Sequence, residues 1–124
     1  MQGDAIVYVH GLWLSGQEAF LLRRRVESER GCDWHNFSYY SMWQTTAEIT
    51  QALAGFVRGL GAARVHLVGH SYGAAMALEA ACELGPKVQS LTLVEPVSFN
   101  LLRVEGRPEW TEIEKLGVAV ISAV

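Results

Sequence analysis

Cysteine is scarce in this sequence. Cys32 and Cys82 are the only two, too few and too far apart for a disulfide framework or a zinc site. Isolated thiols suit a reducing compartment, so a cytoplasmic location is expected. Unbalanced charge is scarce as well. The formal net charge is −3, which gives no footprint for nucleic acid or an anionic membrane surface. The only basic run, Arg23 to Arg25, reads as the solvated side of a helix, because Arg23 can pair with Glu27 and Arg25 with Glu29. No apolar run is long enough to cross a bilayer. The opening MQGDAIVYVHGLW has neither a basic stretch nor a long apolar core, so no signal peptide is expected. Internal repeats and low-complexity segments are missing. No two histidines have metal-ligand spacing, so neither metal nor cofactor is expected. GLGAAR (Gly59 to Arg64) imitates part of a dinucleotide fingerprint, but it ends a helix and precedes a strand, the reverse of what that motif needs.

What is present is an ordinary globular composition, 50% hydrophobic and 19% charged, in 124 residues read as one domain, 1–124. AIVYV (Ala5 to Val9) is a continuous β-branched run that suits a strand buried on both faces of a parallel sheet. Gln17 to Glu29 reads as a helix, with Ser15 as N-cap, Ala19, Leu22 and Val26 on one face, and Gly31 as its stop. WHNFSYY (Trp34 to Tyr40) reads as the second strand. Thr46 to Leu60 reads as a helix with Ile49, Leu53, Phe56, Val57 and Leu60 on one face. VHLVG (Val65 to Gly69) is the third strand, Tyr72 to Glu83 a helix broken by Gly85-Pro86, and VQSLTLV (Val88 to Val94) the fourth strand. A helical turn over Ser98 to Arg103 and a last helix over Trp110 to Ala123 are also expected. The alternation predicts an α/β fold, a three-layer sandwich whose four-stranded parallel sheet has the order 2-1-3-4. Its switch point lies between the first and third strands, where ligands bind beyond the strand ends.

GHSYG, Gly69 to Gly73, falls at that crevice. A sharp strand-to-helix turn strains the central serine and presses together the residues two before and two after it, so both must be small. Here both are glycine, and Ala74, Ala75 and Ala77 extend the small run. The Ser71 hydroxyl is then lifted out at a helix N-terminus, where backbone N–H groups favour a developing oxyanion.

VYVHGLW, VHLVGHSYGAA and LTLVEPV, in that order, resemble the α/β-hydrolase fold family of the serine esterase and lipase type, over Ile6 to about Leu102. The resemblance implies a minimal, cap-less α/β-hydrolase core in which Ser71 attacks the substrate. It implies an oxyanion hole from the N–H groups of Leu12 and Tyr72, with Trp13 as second choice for the former. The implied activity is that of a carboxylesterase cleaving short-chain esters through an acyl-serine intermediate. In that family the histidine and the acid follow later strands, and this sequence reaches Val124 without that histidine.

Four histidines could stand in for the missing base. His10, in the HG motif beside the crevice, is the first choice. His70 is expected to pack behind the turn, His66 to be buried structure, and His35 to serve only across a subunit interface. Glu95, closing the fourth strand, is the candidate acid, whereas Asp4 and Asp33 precede their strands at the wrong end. Aromatics around the crevice, Trp13 with Tyr40 and Trp43 of YYSMW, are candidate substrate-binding residues. The apolar fourth strand leaves an edge, so a homodimer closed through it or through the last helix is expected. The alternative reading is an inactive truncated hydrolase fragment that folds and dimerises or binds small apolar ligands. A thioester or lactone substrate is indistinguishable from an ester at this level.

Overall fold

The computed structural model describes residues 3–12, 14–40 and 43–95. Strand β1 (Asp4–Val9) leads through a 3-10 turn (Gln17–Ala19) into helix α1 (Phe20–Arg30). Strand β2 (Asp33–Phe37), helix α2 (Thr46–Gly59) and strand β3 (Arg64–His70) follow. Helix α3 (Tyr72–Leu84) and a 3-10 turn (Gly85–Lys87) lead to strand β4 (Val88–Val94). The four strands are parallel in the order β2-β1-β3-β4, as the alternation of elements predicts. The expected turn and helix after Pro96 lie outside the described residues.

The sheet is covered on both sides, which is why β1 is apolar from Ala5 to Val9 rather than alternating. On one face Val7, Val9, Val65 and Leu67 pack with Ile49, Leu53 and Val57 of α2 and Met76, Ala77 and Ala80 of α3. On the other, Ile6, Tyr8 and Trp34 pack with Ala19, Val26 and Cys32 at α1. The expected apolar stripe of α2 is confirmed, with Phe56 and Leu60 partly buried at its margin. A capping box starts this helix: Thr45 Oγ1 accepts from the Glu48 N–H, and the Glu48 carboxylate accepts from the Thr45 N–H. Those bonds to Thr45 hold the Glu48 carboxyl below its ordinary value.

Three sequence expectations change. Ser15 is not the N-cap of the first helical segment. Gly16 is, at φ 95°, with its amide bonded to the Glu18 carboxylate at 2.8 Å. A side chain at residue 16 would collide with Asn36, so glycine is needed there. β2 ends at Phe37 rather than Tyr40, because Tyr39 leaves the sheet to stack on His10. Leu22 remains 45% exposed, so α1 covers the sheet less fully than its pattern implies.

Candidate active site

The turn from β3 to α3 has the strain its sequence predicts. Ser71 adopts φ 56° and ψ −118°, a region that L-residues rarely occupy. Both flanking glycines are required sterically. A Cβ on Gly69 would lie 2.5 Å from the Ala74 Cα, and one on Gly73 would overlap the carbonyl oxygens of Val9 and His10. The close approach of α3 to the end of β1 therefore depends on a hydrogen in place of a side chain. The Ser71 N–H donates to the Val94 carbonyl at 2.9 Å, which fixes the turn to the end of β4. Its own carbonyl accepts from the Ala74 N–H at 3.0 Å.

The loop after β1 rests against this serine. A Cβ on Gly11 would lie 3.3 Å from the Ser71 Cβ, and the Leu14 N–H closes a turn onto the Gly11 carbonyl at 3.2 Å. Leu12 lies within that turn, and Trp13 is outside the described residues. Tyr72 is the first residue of α3, so its N–H belongs to the helix end that has no intrahelical acceptor. Its side chain is anchored elsewhere, with its hydroxyl 2.6 Å from Thr46 Oγ1. Tyr40 and Trp43 stand 71% and 82% exposed, so neither forms a closed pocket wall.

His10, the first-choice base, does not present a nitrogen to Ser71, contrary to the expectation from the sequence. Its ring is buried and stacked on Tyr39, with centroids 4.2 Å apart and planes at 2°. Nδ1 donates to the Gly11 carbonyl at 2.7 Å, and Nε2 faces the Tyr39 N–H at 3.4 Å. The Tyr39 hydroxyl donates to the His10 carbonyl at 2.7 Å. His10 thus holds the loop that carries Leu12. Burial, with smaller contributions from Tyr72, Glu18 and Tyr8, pushes the Tyr39 hydroxyl well above its ordinary value, so it remains a donor. Nothing in the run of residues 34–40 distinguishes Tyr39 from Tyr40, so this lock is visible only in the fold.

The other candidates are spread apart. His70 packs against the loop that also rests on Ser71: a Cβ on Gly11 would lie 3.5 Å from its Nδ1. Its Nε2 is 4.0 Å from the Glu95 carboxylate, and its buried Nδ1 has no hydrogen-bond partner among the described residues. Glu95 follows β4 at φ 48° with its side chain 85% exposed, so the candidate acid faces His70. His35 packs edge-on against Phe56, away from the turn. His66 is half-buried near the amino end of β3, bonded to Asp4 and Ser90. Among the described residues, no group of three or more His, Cys, Asp or Glu side chains could hold a metal ion, and no helix is long and apolar enough to cross a membrane.

No curated protein matches this sequence. A solved structure described as a marine microorganism esterase is similar over 75% of this chain, with a TM-score of 0.62 and 19% identity. At that identity the likeness speaks to the fold. The chain spans 38% of that esterase's length. The strained serine turn, the parallel 2-1-3-4 sheet and a match to the family model from residue 6 to residue 121 converge: this chain belongs to the alpha/beta hydrolase family.

Proposed function

We propose that Ser71 is the nucleophile of a carboxylesterase-type serine hydrolase that cleaves short-chain carboxylic esters. The observation that carries this reading is the Ser71 backbone at φ 56° and ψ −118°, at the start of α3 and against the Gly11 loop. Ser71 Oγ attacks the ester carbonyl carbon, and its proton passes to a base. The N–H groups of Leu12 and Tyr72 receive the charge that develops on the carbonyl oxygen. The alkoxide leaves with a proton, and water hydrolyses the acyl-serine by the reverse sequence. None of the four histidines offers Ser71 a hydrogen bond among the described residues, so in this reading the base is not one of these four acting within the same chain.

An elbow and oxyanion hole without a base still retain roughly 10³-fold catalysis over water, enough to turn over a reactive ester. The test is hydrolysis of p-nitrophenyl acetate and butyrate by the wild type and by Ser71→Ala, prepared identically. Turnover that falls to background in the variant supports the reading. Equal rates would favour the second reading, an inactive hydrolase segment that binds small apolar ligands. The orientation of His10 away from Ser71 speaks for that alternative.

A further inference from the structure

A second hydroxyl, imidazole and carboxylate are aligned at the opposite end of the sheet from Ser71. His66 on β3 lies between Ser90 on β4 and Asp4 on β1. The Ser90 hydroxyl is 2.7 Å from His66 Nδ1, and His66 Nε2 is 3.0 Å from Asp4 Oδ2. The strand register brings them together, since Ser90 is the partner of His66 across β3 and β4 and Arg64 is the partner of Asp4 across β1 and β3. Arg64 Nε donates to Asp4 Oδ1 at 2.7 Å, which fixes the carboxylate. Hydrogen bonds from His66 and Arg64 hold the Asp4 carboxyl below its ordinary value, so it is an acceptor only.

That fixes the direction of the chain. An ionised Asp4 can only accept, so neutral His66 carries its proton on Nε2 and leaves the Nδ1 lone pair facing the Ser90 hydroxyl. This is the polarity that a base needs toward a serine. The three residues line a cavity of about 520 Å³ on the α1 side of the sheet, together with Arg30, Cys32 and Thr92. That volume falls within the range of small-molecule sites. His66 and Ser71 are five strand positions apart, so the two hydroxyls belong to separate sites roughly 15 Å distant.

We propose that Ser90, activated by His66 and Asp4, is a second nucleophile that takes up an acyl or phosphonyl group from a small activated ester bound in this cavity. Ser90 Oγ bonds to the electrophilic carbon or phosphorus while its proton moves to His66 Nδ1. The bond to the leaving group then breaks, and that proton passes to the departing oxygen or fluoride. Asp4 holds the imidazole in orientation and stabilises the imidazolium.

The test uses the Ser71→Ala protein, so that a failure of the elbow reading leaves the result intact. It is incubated with a fluorophosphonate probe and mapped by peptide mass spectrometry, with Ser15, Ser28 and Ser38 as exposed-serine references. The expected result is modification of Ser90 at a rate well above those serines, lost in Ser90→Ala. His66→Gln should slow it by about 10²-fold, the lower end of what a positioned general base contributes. Labelling of Ser90 no faster than the reference serines, a rate unchanged by His66→Gln, or modification of Cys32 instead would overturn the proposal. Because Ser90 is exposed on its strand, Ser90→Ala is expected to fold, and matching circular dichroism spectra check this.

Discussion

Replacing Ser71 by glycine and by alanine separates strain from chemistry. Both variants lose the hydroxyl, and only alanine keeps a Cβ at φ 56° and ψ −118°. An L-residue held in such a region costs about 1–3 kcal/mol. Glycine escapes that cost but loses about 0.4–1 kcal/mol through its freer unfolded chain. The balance makes Ser71→Gly about 0.5–2 kcal/mol more stable than Ser71→Ala. Equilibrium urea unfolding of the two proteins reads this difference directly, and thermal unfolding should show it as a shift of several degrees, at about 4–8 °C per kcal/mol for domains of 60–100 residues. Equal midpoints, or a less stable glycine variant, would refute the claim that the elbow stores strain. Neither variant should sustain turnover of p-nitrophenyl acetate above background, whatever its stability; a single stoichiometric release from acylation of Ser90 would not count as turnover.

Gly73→Ala should be the more damaging change. Its methyl group would overlap two carbonyl oxygens of the β1 end, so unfolding experiments should show a loss of about 1–3 kcal/mol, the usual cost of overpacking, together with lost activity. Burial first, and then Glu18, hold the Tyr8 hydroxyl above its ordinary value of 10.0, and burial does the same for Tyr39. The folded state therefore keeps protons that the unfolded chain releases. This contribution is complete below about pH 10 and declines as pH rises further. Urea midpoints between about pH 9 and about pH 11.5 should fall, and Tyr39→Phe should flatten that slope; a flat wild-type profile would contradict it. β4 ends the sheet among the described residues, and we propose that a second copy pairs there. Sedimentation equilibrium should then show a dimer, and a monomer at micromolar concentration would count against it.

The fold was legible because its signals are local. Apolar runs, a helix stripe in α2 and the stops at Gly31 and Gly85 each lie within a few residues of one another, and the right-handed crossover rule does the rest. The glycines of GHSYG were legible for the same reason. The surroundings of Ser71 were not. Whether His10 faces Ser71 or Gly11 depends on Tyr39, a partner 29 residues away that leaves its strand early. The alignment of Asp4, His66 and Ser90 depends on strand register, which hydrophobic patterning fixes only by face and not by partner. Ser15 failed as a cap because the Asn36 side chain, close in space but not in sequence, selects glycine at residue 16.

The bond from the Ser71 N–H to the Val94 carbonyl has a kinetic consequence. β1 meets β3 across some 60 residues, as Asp4 opposite Arg64, and such non-local parallel pairing is slow to form. The elbow closes only once β1 and β3 have paired and β4 has delivered Val94. On the proposed role of Ser71, a nascent or partly folded chain carries it as an ordinary serine, and its own labelling by an ester-like probe, read at that residue, would mark the last stage of folding. Stopped-flow refolding followed by such a probe would time that moment.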